Sequence, residues 1–135
     1  KAAIKKLNDA GYLVFVVTNQ AGIARGYYDS AAVEALHNWM QVDLANVGAH
    51  IDDFRYCPHH PDGTVPELAI DCDCRKPNSG MLRSLIAQWK PDTSRSFMLG
   101  DSDKDVQAAN SIGITGKKIE PSQLLHEIER MIASR

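Results

Sequence analysis

Cys57, His59, Cys72 and Cys74 form the pattern C-x-H-x12-C-x-C, and Arg75 and Lys76 follow at once. Three thiols and one imidazole are four soft or borderline ligands, the number that a closed tetrahedral Zn²⁺ site takes. Pro61, Gly63 and Pro66 lie between the two ligand pairs, with Pro58 inside the first, and favour a loop that folds back on itself. The bland alternative is three unpaired cysteines beside two exposed histidines. Against it, every cysteine of the chain falls within this one loop. Four protein ligands leave no open coordination position, so a zinc here is expected to be structural. Any reaction chemistry must lie beside it.

Two other places carry reactive groups. Thr18-Asn19-Gln20 follows the apolar run Tyr12-Leu13-Val14-Phe15-Val16-Val17, and Gly100-Asp101-Ser102-Asp103-Lys104-Asp105 follows Ser96-Phe97-Met98-Leu99. A G-D-x3-D turn sets two carboxylates about one helical turn apart at a strand–helix junction. Carboxylates, with water and phosphate oxygens, are what Mg²⁺ prefers. Alone, Asp101 or Asp103 would read as a helix cap, Thr18 as a strand end and Lys76 as a surface lysine. A hydroxyl, an amide, an Arg-Lys pair and an acidic turn together describe a phosphate and Mg²⁺ site.

The elements that must position these groups alternate between strand and helix. A helix over 2–10 carries Ala3, Ile4 and Leu7 and stops at Gly11. The uninterrupted apolar run after it suits a parallel strand covered on both faces. Residues 21–28 read as a loop, and Asp29 or Ser30 caps a long helix with Val33, Leu36, Met40, Leu44 and Val47 on its buried face. A strand over 51–56 leads into the cysteine loop. Ser79 is expected to cap a helix bearing Met81, Leu82, Leu85, Ile86 and Trp89. A second buried strand at 96–99, a small-residue helix over 106–112, a weak strand over 114–119 and an amphipathic helix over 121–132 complete the chain. Alternating elements predict a single α/β domain over 1–135, with a parallel sheet, helices on both faces and the inserted metal loop at about 57–77.

Composition restricts the partners. A net charge of −2 with no Lys/Arg cluster gives no electrostatic footprint for nucleic acid. No apolar run approaches the roughly 20 residues of a membrane span. Thiols free to bind metal suit a reducing cytoplasm.

In order, V-V-T-N-Q with G-I-A-R-G, then R-K-P, then G-D-x3-D resemble motifs II, III and IV of the haloacid-dehalogenase-like (HAD) phosphatases. The C-P-H-H-P…C-D-C-R-K-P loop resembles that of their zinc-containing branch. The resemblance runs from Lys1 to about Gly113. It implies a Rossmann-like HAD sheet and a Mg²⁺-dependent phosphomonoesterase acting on a small sugar phosphate. A heptose bisphosphate of lipopolysaccharide synthesis is the expected substrate, with histidinol phosphate or a non-catalytic zinc protein as alternatives. By motif, Thr18 would hydrogen-bond the transferring phosphoryl group and Lys76 would neutralise it. Asp101 would hold Mg²⁺, and Asp105 would orient the metal's water or Lys76. Asn19, Gln20, Arg25 and Arg75 would face the substrate, and His60, outside the ligand spacing, would sit at the solvent or substrate rim. The resemblance also leads to an expected monomer.

Motif I of that family, D-x-D-G-T/V, is missing from residues 1–135. Asp71-Cys72-Asp73 belongs to the metal loop and Asp101-Ser102-Asp103 to motif IV. The resemblance therefore implies that the nucleophile and the central strand carrying it lie before Lys1. The residues printed here would not form an aspartyl-phosphate on their own.

Overall fold

Strands alternate with helices throughout the computed structural model, which describes residues 1–134. The order is α1 (Ala2–Asp9), β1 (Phe15–Asn19), α2 (Ala21–Ala24), α3 (Ser30–Ala45), β2 (Asp53–Cys57), α4 (Gly80–Trp89), β3 (Phe97–Gly100), α5 (Asp103–Asn110), β4 (Thr115–Lys118) and α6 (Leu124–Ala133). β1 runs parallel to β2, with Phe15 opposite Asp53 and Asn19 opposite Cys57. β3 runs parallel to β4, with Phe97 opposite Thr115 and Gly100 opposite Lys118.

Among the described residues these pairs form two separate two-stranded sheets. A cavity of about 960 Å³ is lined by residues 13–18 on one side and 96–101 on the other. Consecutive residues line it, not alternate ones, so strand edges face it and not sheet faces. The α/β architecture with parallel strands matches the expectation from alternating elements. Among the described residues β1 and β3 each pair on one side only.

Alternation along β1 and β2 sorts their side chains between two helix layers. Val14 and Val16 pack with Phe54 against Ile4 and Leu7 of α1 and Met40 and Leu44 of α3. On the opposite face Phe15 meets Trp89 of α4, ring centroids 5.6 Å apart. Trp89 also donates its indole N–H to Asp53 Oδ2 at 2.8 Å. α5 covers β3 and β4, and Gly116 lets β4 come close to it, since a Cβ there would lie 3.0 Å from Val106 Cα.

Three local expectations need correction. On α3, Val33 and Leu44 are buried as expected, but Leu36 is 52 % and Val47 44 % exposed. His37 takes the inward position instead, stacked on Phe54 with centroids 4.1 Å apart. Ser79 precedes α4 without a side-chain cap, whereas Asp29 does cap α3, accepting from Ala32 N at 3.0 Å. Residues 21–24, expected as loop, form the single helical turn α2.

Candidate active site and metal centre

β1 and β3 both end at the same mouth of the cavity, and Thr18, Lys76, Asp101 and Asp105 line it together. Thr18 is the penultimate residue of β1, and its hydroxyl accepts from Gln20 Nε2 at 3.2 Å. Tyr28 in turn donates its hydroxyl to Gln20 Oε1 at 2.5 Å. Gly22 makes room for that ring, because a Cβ there would overlap it.

Lys76 reaches the cavity from the loop after the cysteines. Its Nζ pairs with the Asp105 carboxylate and donates to Val17 O at 3.3 Å. Its backbone is held by Asn19, whose Oδ1 accepts from Lys76 N at 2.9 Å and whose Nδ2 donates to Lys76 O at 3.2 Å. Asp105 is 5 % exposed and does two jobs. Oδ1 meets Lys76, while Oδ2 accepts from Ser102 N at 3.3 Å and closes the first turn of α5. Ser102 Oγ accepts from Lys104 N at 3.2 Å, completing the cap. The helix-cap reading of this turn holds, and the same carboxylate stands beside Lys76. Asp101, just beyond β3, is exposed at the mouth.

Cys57, His59, Cys72 and Cys74 bring their ligand atoms within 4.8 Å of one another. The Cys57–Cys72 and Cys72–Cys74 sulfurs are 3.3 Å apart, and His59 Nδ1 lies 3.7 Å from Cys57 Sγ and 3.5 Å from Cys74 Sγ. Tetrahedral ligands on a Zn–S radius of about 2.3 Å sit roughly 3.8 Å apart, so this donor set fits a closed zinc site after a small expansion. The Cys57–Cys74 pair, at 2.6 Å, has furthest to open. Burial pushes the Cys57 thiol up, and pushes the Cys74 thiol well above the usual thiol range. Burial also works against ionising Cys72, yet hydrogen bonds from Cys74 and Cys57 and from the Arg75 and Cys74 backbone hold it below that range. A dication is the partner that would let all three ionise.

The cysteine loop and the cavity mouth share a frame. Cys57 ends β2 opposite Asn19 of β1, and Gln20 N donates to Cys57 O at 2.8 Å. Cys74 is two residues before Lys76. Gly80 lets the start of α4 seat against the loop, donating from its N to Asp73 O at 2.7 Å.

A sequence profile of the HAD-hydrolase-like family matches residues 73–117, from just before Cys74 into β4. The chain is 46 % identical, over 98 % of its length and 78 % of the relative's, to the D-glycero-β-D-manno-heptose-1,7-bisphosphate 7-phosphatase of Rhodopseudomonas palustris. It is 44 % identical, over 82 % of its length, to the α-anomer enzyme of Photorhabdus laumondii, and 43 % identical, over 88 %, to the β-anomer enzyme of Escherichia coli K12. The chain belongs to the HAD-like phosphatase family.

Among solved HAD-like structures, the D,D-heptose 1,7-bisphosphate phosphatase of B. bronchiseptica, complexed with magnesium and phosphate, superposes with a TM-score of 0.83 at 29 % identity. It aligns over 98 % of this chain and 81 % of that one. A HAD-like phosphatase of Mesorhizobium loti gives 0.87 at 34 % identity, over 98 % and 71 %. The chain spans 61 % of the Photorhabdus and 66 % of the Escherichia relative.

Within this HAD-like chain, the residues expected to face substrate separate into two groups. Asn19 and Gln20 direct their side chains at Lys76 and Thr18, so both position neighbouring groups. Arg75 keeps a fully buried Nε with no hydrogen-bond partner, and Arg25 lies beside His60. His60, expected at the solvent or substrate rim, is 9 % exposed, which leaves it little contact with solvent. Tyr28 escaped the sequence reading, and Gly100 was read only as the first residue of the G-D-x3-D turn. A Cβ on Gly100 would overlap the Asp105 carboxylate and lie 2.6 Å from its Cβ.

Proposed function

We propose that the protein containing this chain is a Mg²⁺-dependent sugar-bisphosphate phosphatase that removes the 7-phosphate of D-glycero-D-manno-heptose 1,7-bisphosphate. The observation carrying this reading is the convergence of Thr18, Lys76, Asp101 and Asp105 on one cavity mouth. The names of the curated relatives supply the substrate class.

In this reading the Thr18 hydroxyl, oriented by Gln20, donates to a phosphoryl oxygen. Lys76 Nζ, kept charged and in place by Asp105, neutralises a second oxygen. Phosphoryl transfer asks chiefly for such positioning and charge stabilisation. Magnesium held at Asp101 would supply Lewis-acid charge on the phosphoryl group. The zinc ligands Cys57, His59, Cys72 and Cys74 would fix the loop that delivers Arg75 and Lys76. Arg75, with its unpartnered Nε, would take a substrate oxygen. The nucleophilic carboxylate would stand on a further strand between β1 and β3, from sequence before Lys1. The facing strand edges support that placement.

The test is phosphate release by the full-length protein from heptose 1,7-bisphosphate and from histidinol phosphate, with Mg²⁺ and after its removal. Preferred Mg²⁺-dependent turnover of the heptose, abolished by Asp101→Asn, is the expected result. Preference for histidinol phosphate, or turnover of neither, overturns the reading.

A further inference from the structure

We propose that Tyr28 is a positioning residue for the reaction: through Gln20 it holds the Thr18 hydroxyl ready to donate to a phosphoryl oxygen. This rests on the phosphatase reading above. Thr18 lines the cavity with Lys76, whereas Gln20 and Tyr28 line none of it. Tyr28 donates its hydroxyl to Gln20 Oε1 at 2.5 Å, and Gln20 Nε2 donates to Thr18 Oγ1 at 3.2 Å. A carboxamide has two orientations of nearly the same shape, one donating to Thr18 and one accepting from it. In the second, the Thr18 O–H points at Gln20 and is withdrawn from phosphate. A phenol O–H aimed at Oε1 selects the first. Thr18 then keeps its own proton, which rests on Asn19 O at 3.4 Å. So long a bond is weak, and a charged phosphoryl oxygen is the stronger acceptor.

The backbone around Tyr28 brings it back to the end of β1. Gln20 N donates to Cys57 O at 2.8 Å, which fixes the chain beneath the amide. Gly26, at φ +76°, reverses the chain after α2, and Tyr27 N closes the reversal on Gly22 O at 2.9 Å. Asp29, next in sequence, is anchored as the cap of α3. The ring lies across Gly22, in the space that a Cβ there would occupy. Tyr28 is nevertheless 40 % exposed, so burial of its ring in the core does not account for its place. Its hydroxyl contact with Gln20 does.

The experiment measures kcat and KM of the full-length protein on heptose 1,7-bisphosphate in the wild type, Tyr28→Phe, Thr18→Val and the double variant. Gly22→Ala gives a second route to the same contact. One hydrogen bond corresponds to about two- to tenfold in rate, so Tyr28→Phe should lower kcat by that factor with KM changed less. Thr18→Val should slow turnover without abolishing it, by about 10²- to 10³-fold for one lost donor. In that background Tyr28→Phe should have no further effect, because no hydroxyl is left to orient. A ring that acted only by packing, or a phenol that touched substrate itself, would lower activity in both backgrounds. Gly22→Ala displaces a half-exposed ring, so it should reproduce the loss in kcat with little change in the thermal melt. Wild-type kcat in both Tyr28→Phe and Gly22→Ala, or an equal loss with and without the Thr18 hydroxyl, overturns the assignment and leaves the phosphatase reading intact. No phosphate release by the wild type overturns both.

Discussion

The side-chain amide of Asn19 pairs with the backbone of Lys76 as a neighbouring strand would, accepting from its N–H at 2.9 Å and donating to its carbonyl at 3.2 Å. Through it β1 reaches across to the loop that leaves the metal centre. Asn19 also sits opposite Cys57 in the β1–β2 ladder. One residue thus links the register of the sheet, the first candidate zinc ligand and the candidate phosphate cation.

Removing that amide should loosen Lys76 without unfolding the protein. Two part-buried hydrogen bonds of about 1 kcal/mol each put the loss in kcat for Asn19→Ala at roughly 10- to 100-fold. KM should change less, because in the proposed reaction Lys76 would act most strongly on charge developing in the transition state. Steady-state kinetics alongside a thermal melt separate this from a stability defect. An unaltered kcat would show that Val17 and Asp105 hold Lys76 unaided.

The Lys76–Asp105 pair is largely withdrawn from water, with side chains 13 % and 7 % exposed. Breaking a buried pair from one side leaves an uncompensated charge, at a cost of about 3–5 kcal/mol. Lys76→Met and Asp105→Leu should each lower the urea midpoint substantially, and the double variant should recover much of the loss. Additive losses in the cycle would mean the two charges are not coupled. All three variants should lack turnover.

Gly100 lies against the same carboxylate. Adding one methyl at Gly100→Ala must push Asp105 away, since the new Cβ would lie 2.6 Å from Asp105 Cβ. Overpacking of this kind costs about 1–3 kcal/mol. Activity should fall further than that stability loss explains, because Asp105 would leave Lys76. Normal turnover in Gly100→Ala would place the carboxylate elsewhere.

Chemistry-bearing residues were legible in the sequence because their types and order are rare. The cysteine–histidine loop and the G-D-x3-D turn needed no packing information to be found. Helix and strand order was legible for a similar reason, as runs such as Tyr12 to Val17 have few other uses. Roles were less legible. Asn19 and Gln20 look like substrate contacts from their place at a strand end, but partners distant in sequence decide where an amide points. His37 illustrates the same limit on α3. Helical spacing there nominates Leu36 and Val47 equally, and only the position of Phe54 on β2 selects a histidine instead.

His37 also makes stability depend on pH. Burial lowers its imidazole pKa below the ordinary value, with Glu34 on the same helix pulling weakly the other way. Its ring stacks on Phe54 and meets Tyr56 of β2 edge-on at 6.1 Å. The unfolded chain binds this proton more readily than the folded one, so stability rises with pH across the interval between the two pKa values. The contribution is fully present above the unfolded value of about 6.5 and declines as pH falls through it toward the lower folded value. Urea unfolding between pH 7.5 and 5.5 should show the midpoint falling on acidification. In His37→Phe, which keeps the aromatic stack and removes the titrating group, the fall should be smaller. Equal slopes in the two proteins would assign the acid sensitivity to other groups and leave His37 as packing alone.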